Sequence, residues 1–157
     1  GSGNIGATNA LRTGNKIIGY TTLIFDILKA IIPVIYVKIY FPELVYVSSL
    51  CAFLGHVFPI WLKFKGGKGV ATYLGIILAI SFKLAIVFGA IWLTTILIFR
   101  YASLSSIISS FVILVYGFFL EKNVLTIFLI ITFIMMLYTH RENIVRLKNS
   151  KENKIKL

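Results

Sequence analysis

Six apolar runs, separated by short polar connections, fill most of this chain: residues 17–41, 44–58, 70–80, 84–99, 107–120 and 124–138. In hydrocarbon a backbone N–H or C=O finds no water, so such runs fold as helices that satisfy their own hydrogen bonds. The pattern predicts an all-α, polytopic transmembrane helix bundle of about six spans. Composition agrees, since 59% apolar and 13% charged residues with a mean hydropathy of +0.94 exclude an ordinary soluble domain of 157 residues. Cys51 is the one cysteine, which rules out an intramolecular disulfide and a cysteine-rich metal site.

Several runs are shorter than the ~20 residues that cross a bilayer. The 44–58 run is expected to lie partly within protein, and 70–80 to extend into a loop or sit partly below the surface. Lys83 reads as a turn, and Glu121-Lys122-Asn123 as a tight polar one. Within the first run Asp26 and Lys29 share a helix face at i, i+3, and Asp26 falls ~14 Å below Ile17, near mid-bilayer. Ionisable residues at that depth should face the bundle interior and partner each other or a polar site. An ion pair that merely fixes helix packing is the plainer reading.

Between the second and third runs stands Gly55-His56-Val57-Phe58-Pro59-Ile60-Trp61-Leu62-Lys63-Phe64-Lys65-Gly66-Gly67-Lys68-Gly69-Val70-Ala71-Thr72. Glycines allow close backbone approach and lysines bring positive charge, so Lys65 to Lys68 reads as an anion cradle. A Walker A loop is excluded, because position 62 is Leu and Lys68 is followed by Gly69. A basic cytoplasmic connection is the alternative. The opening segment, Gly1-Ser2-Gly3-Asn4-Ile5-Gly6-Ala7-Thr8-Asn9-Ala10-Leu11-Arg12, reads as a second anion-binding loop or as a flexible terminus. Ser103, Ser105 and Ser106 are candidate hydroxyl donors, helix caps, or small residues easing helix contacts. His140, Arg141 and Asn143 stand at the mouth of the last run, where arginine holds phosphate and histidine moves protons. The lysine-rich tail from Lys148 reads as a solvated or lipid-facing basic run.

If each run crosses once, all of these segments fall on one face. That face carries Arg12, Lys16, Lys63, Lys65, Lys68, Arg100, Arg141, Arg146 and the tail lysines, against Lys38, Lys83 and Lys122 with Glu43 and Glu121 opposite. The asymmetry assigns it to the cytoplasm. The net charge of +11 is explained mostly by basic loops held against anionic lipid.

The opening segment through Arg12, the stretch Gly55-His56 to Thr72, and His140-Arg141-Glu142-Asn143-Ile144 to Arg146-Leu147 closely resemble the three motifs of the bacterial membrane acyl-phosphate:glycerol-3-phosphate acyltransferase family. Asp26 to Lys29 and Arg100-Tyr101 to Ser103-Leu104 belong to the same resemblance, which spans nearly the whole chain as a single membrane domain. Residues 1–16 would be a cytoplasmic substrate loop and 148–157 a basic cytoplasmic tail. The resemblance also implies that Gly1 and Ser2 are native, and that the family's first transmembrane helix, which precedes them, is missing here.

It implies transfer of a fatty acyl group from acyl phosphate to the 1-hydroxyl of glycerol 3-phosphate, at the cytoplasmic side of a bacterial inner membrane. Arg12, His56, Lys68 and His140 would be catalytic. Ser2, Asn4, Gly6, Thr8, Asn9, Lys65, Gly66, Gly67, Gly69, Thr72, Ser103, Arg141 and Asn143 would bind substrate. The Ser2 to Thr8 loop with Ser103 is expected to hold the donor phosphate, and Arg12, Lys68, His140 and Asn143 the glycerol 3-phosphate. Neither histidine has the Asp five positions on that glycerolipid acyltransferases using acyl-CoA or acyl carrier protein carry: Trp61 and Val145 stand there. The base would then be a donor phosphate oxygen, with His56 the alternative. No cofactor, metal, nucleic acid or obligate protein partner is implied; membrane lipid is. The rival classes are a transporter for a phosphorylated anion and a non-catalytic lipid-binding scaffold.

Overall fold

The computed structural model describes residues 5–12, 14–120 and 123–155, with residues 8, 11 and 12 by backbone alone. It is helical, and the chain forms two compact units, Gly1–Phe82 and Lys83–Leu157.

In the first unit a short helix α1 (Ala7–Arg12) leads to α2 (Lys16–Tyr40), then through a 3-10 turn at Pro42–Leu44 to α3 (Val45–Val57). A second 3-10 turn at Ile60–Leu62 precedes α4 (Val70–Ile80). Asn15 caps α2, its side chain accepting from Ile18 N at 3.1 Å, which satisfies one orphan first-turn amide. Gly19, Asp26, Ala30 and Val34 are the buried residues of α2, spaced as one helix face. That face meets α4, where Gly75 lies so close to the Ile27 backbone that a Cβ would overlap it. The core closes with Phe53 edge-on to Tyr73, centroids 6.4 Å apart, beside Ile76 and Ile77. Lys38, near the end of α2, donates to Ala79 O at 2.8 Å and Ile80 O at 3.0 Å, satisfying carbonyls that α4 leaves orphaned at its C-terminus.

The second unit contains α5 (Phe82–Phe99), α6 (Ala102–Phe118), α7 (Asn123–Thr139) and α8 (Arg141–Lys148). The expected turn at Lys83 is corrected: Ser81 is extended and α5 begins at Phe82, so Lys83 sits in its first turn over the Tyr116 ring. The capping role for the α6 serines is also corrected, because Tyr101 is the N-cap residue and makes no side-chain cap bond. Ser105 and Ser106 instead donate back to the carbonyls of Tyr101 and Ala102, as short hydroxyls do inside a helix. Ser103, Ser105, Ser106, Ser109 and Ser110 are all buried, and Ser106 also accepts from Trp92 Nε1 of α5 at 3.1 Å. At Gly117 a Cβ would overlap Leu129, so α6 and α7 approach closely there. A 60° bend separates α7 from α8.

By length and composition two helical stretches among the described residues can cross a membrane, Pro42–Leu62 and Phe82–Phe99, and a third if α7 and α8 count as one bent span. Helices α4 and α6, at 11 and 17 residues, are apolar but short for a bilayer, and α4 is mostly buried.

Candidate active site

The first unit brings two of the motifs together. Ile5 pairs with Gly67 in an isolated parallel bridge, laying the opening segment along the Lys65 to Lys68 loop. That loop folds back on α3: Gly66 N donates to Val57 O at 3.1 Å and Gly67 N to His56 O at 3.2 Å. These amides satisfy carbonyls that the end of α3 would leave orphaned. Both positions demand glycine, since a Cβ on Gly66 would meet the His56 and Val57 carbonyl oxygens and one on Gly67 the His56 ring. The two amides therefore build the loop, and the anion-binding capacity lies just beyond them.

There Gly69 takes φ +84 and opens α4 without a side-chain cap, packed so that a Cβ would overlap the Phe53 ring. Thr72, in the first turn, is 0% exposed, and its hydroxyl has no partner among the described residues. An uncapped helix N-terminus with a buried hydroxyl and Lys68 alongside suits an anion. Lys65 is exposed at the rim.

Behind this loop His56 is buried against a charged pair. Lys29 Nζ donates to Asp26 Oδ1 at 2.7 Å and to His56 Nδ1 at 2.6 Å, while Asp26 Oδ1 lies 3.6 Å from the same ring nitrogen. Asp26 is 7% exposed and faces inward, whereas Lys29 is about half exposed; the expected interior pair is corrected to a buried carboxylate with a partly exposed lysine, and its further partner is His56. No carboxylate at helical spacing could orient His56; the one that stands near it comes from α2.

In the second unit the α7–α8 bend places His140 at the N-cap of α8, 2% exposed. Its Nδ1 donates to Met136 O at 2.9 Å, which makes Nε2 the acceptor nitrogen of the neutral ring. Arg141 turns back onto the end of α7, donating to Tyr138 O at 2.9 Å and stacking on the Tyr138 ring. Asn143 Nδ2 and Ser103 Oγ both donate to Glu152 Oε1, at 2.6 and 2.8 Å, and Arg146 Nε donates to Glu152 Oε2 at 2.8 Å. The Glu152 side chain is 4% exposed. Burial pushes its pKa up, but hydrogen bonds from Arg146, Asn143 and Ser103 outweigh that and hold the carboxyl below its ordinary range.

A glycerol-3-phosphate acyltransferase family profile matches residues 1–150. The chain is 58% identical to the glycerol-3-phosphate acyltransferase of Pelagibacter ubique over 157 residues, all of this chain and 82% of that protein. Its counterpart in Brucella anthropi is 44% identical over 155 residues, covering 99% and 77%. This chain belongs to the glycerol-3-phosphate acyltransferase family. Among solved structures it superposes on the crystal structure of PlsY (YgiH), an integral membrane glycerol 3-phosphate acyltransferase, in its glycerol 3-phosphate form. The TM-score is 0.95 at 35% identity, with 99% of this chain and 80% of that one covered. The lysophosphatidic acid form of the same enzyme gives a TM-score of 0.94 at 34% identity, covering 99% and 81%.

Within this family fold, Gly6, Asn9, His56, Lys65, Gly66, Gly67, Lys68, Gly69 and Thr72 of the expected site fall in the first unit, and Ser103, His140, Arg141 and Asn143 in the second. Ser2, Asn4 and the side chains of Thr8 and Arg12 lie outside the described residues. The tail is not simply solvated, since the Glu152 side chain is shielded by its three donors. The signal for Glu152 was one acid in a run of lysines, and for the Lys29–His56 link there was none, because 27 residues separate the two.

Proposed function

We propose that this chain moves a fatty acyl group from an acyl phosphate to the 1-hydroxyl of glycerol 3-phosphate, giving lysophosphatidic acid and inorganic phosphate. The observation that supports a substrate-phosphate site is the start of α4, an uncapped helix N-terminus where the buried Thr72 hydroxyl has no partner among the described residues. We assign it to the donor, which moves Lys68 there from the glycerol 3-phosphate expected from the sequence. A phosphate there meets first-turn amides, a hydroxyl and an ammonium, which neutralise charge as it departs. Arg12 is assigned a further contact to substrate phosphate.

The chemistry asks little more. Acyl phosphate is an activated mixed anhydride: the glycerol hydroxyl oxygen bonds to the carbonyl carbon, the bond from that carbon to the phosphate oxygen breaks, and phosphate leaves. The hydroxyl proton passes to a phosphate oxygen of the donor, so no acyl-enzyme forms and no His–Asp pair is needed. His140 and Asn143 are the second-unit residues assigned to glycerol 3-phosphate. Asn143 shares Glu152 with Ser103, whose hydroxyl proton is committed to that carboxylate, so the Ser103 oxygen is left as an acceptor, which suits a glycerol hydroxyl better than a phosphate. The basic face of the sequence supports a bacterial inner-membrane enzyme whose site opens to the cytoplasm, where a phosphorylated acceptor is available.

The test is purified protein in detergent with glycerol 3-phosphate and either palmitoyl phosphate or palmitoyl-CoA. Release of inorganic phosphate and formation of lysophosphatidic acid with the first donor alone is expected. Turnover with palmitoyl-CoA at a comparable rate would overturn the donor assignment.

A further inference from the structure

We propose that Lys29 is a positioning residue that fixes His56 as the Nε2–H tautomer, making His56 a hydrogen-bond donor beside the Gly66–Gly67 turn and removing it as a general base. The inference stands on the geometry of the first unit and holds whichever acyl donor is used.

What each group can donate or accept sets the arrangement. An ammonium has three protons and no lone pair, so Lys29 is the donor both to Asp26 Oδ1 at 2.7 Å and to His56 Nδ1 at 2.6 Å. Nδ1 must then present its lone pair, and the neutral ring carries its one proton on Nε2. The alternative, a proton on Nδ1 shared with Asp26, would have to span 3.6 Å, too long for a hydrogen bond, and would turn an N–H toward the Lys29 ammonium. Asp26 therefore acts on the ring through Lys29: the carboxylate, itself buried, holds the ammonium of the half-exposed lysine against Nδ1.

The consequence appears on the other side of the ring. Nε2 and Cε1 lie against the backbone of Gly67, close enough that a Cβ there would overlap both. The same glycine is bridged to Ile5 and donates to His56 O. A nitrogen that already holds its proton can only donate at this turn. Taking up a second proton would require Nδ1 to give up the lysine and would set two cations side by side.

The test needs no substrate. The chain has two histidines, so 15N spectra of the labelled protein in detergent contain two rings, assigned with His140→Gln. At neutral pH His56 should show a protonated Nε2 and an unprotonated Nδ1, and Lys29→Met should shift the proton toward Nδ1 or give a mixture. A protonated Nδ1 in the parent, or a tautomer that Lys29→Met leaves unchanged, would overturn the proposal. A kinetic arm separates donation from base catalysis. Gln places an amide nitrogen near the Nε2 position and Asn near Nδ1, so His56→Gln should retain a kcat about tenfold above His56→Asn, the worth of one hydrogen bond. Equal and complete loss in both, with folded protein, would count against the donor role, and because the parent measures the overall reaction, it is distinguishable from an absence of the proposed activity.

Discussion

Gly55, Gly66 and Thr72 illustrate how different demands fall on single residues of one motif. At Gly55 a Cβ would meet nothing within 4 Å, whereas at Gly66 it would run into two carbonyl oxygens and the ring of Pro59. Gly66→Ala should therefore lower stability by about 1–3 kcal/mol, because backbone cannot step aside as a side chain can, and Gly55→Ala should be close to neutral. Thermal unfolding in detergent of the two variants checks this. Thr72→Val should separate stability from function. Replacing a buried hydroxyl that has no partner among the described residues by a methyl of the same shape should leave the melting temperature unchanged or raised, while kcat/KM falls by about tenfold if that hydroxyl donates to substrate phosphate. Lys68→Ala removes a charge-assisted contact, worth about 1.5–3 kcal/mol, and should lower kcat/KM by about ten- to a hundredfold in steady-state assays. The sequence showed that these residues belong together. It did not show that the Gly66 and Gly67 amides close the end of α3 instead of binding a ligand, since that depends on where the chain turns after Val57.

At the scale of an element, the end of α8 decides what the tail does. Ser150 adopts φ +54, and Lys151 N reaches Arg146 O at 2.8 Å, a left-handed reversal of the kind that glycine usually supplies. The reversal brings Glu152 under Ser103, Asn143 and Arg146, and Ile155 N then donates to Arg100 O at 2.8 Å. With serine in place of glycine, and one acid among lysines, composition described this segment as solvated, and the bond partners that overturn that reading are tertiary. A carboxyl held below its ordinary pKa stabilises the fold above its unfolded value, and that contribution is lost as pH falls through the folded one. Stability should therefore decline in acid. Glu152→Gln should flatten that decline and expose the tail to proteolysis at neutral pH. A pH–stability curve unchanged by the substitution would show that the three donors contribute nothing net. By contrast α4 was legible to the residue, from Val70 to Ile80, because an apolar run bounded by Gly69 and Ser81 leaves little choice of ends.

For the molecule as a whole, charge asymmetry makes the sharpest claim. On a Cys51→Ser background, cysteines at the exposed positions Lys65, Arg141 and Lys148 should label from the cytoplasm, and one at Glu43 from the opposite side. Labelling of Lys65→Cys and Arg141→Cys from different sides would break the shared face. The helical class was readable from apolar run length, but what surrounds each helix was not. Hydropathy registers an apolar stretch without saying whether lipid or protein surrounds it, and α4 is mostly covered by its own unit.

The contact between Lys38 and the last carbonyls of α4 bears on depth in the bilayer. At a rise of ~1.5 Å per residue Lys38 lies about 18 Å along α2 from Asp26, at the far edge of the hydrocarbon, while α4 is about 16 Å long, roughly half its depth. Tethered there by its last carbonyls, α4 begins well inside the bilayer, which recesses the anion site at its N-terminus. Lys38→Met releases that tether and leaves two carbonyls of α4 without their donor, so it should lower the melting temperature in detergent and kcat/KM together.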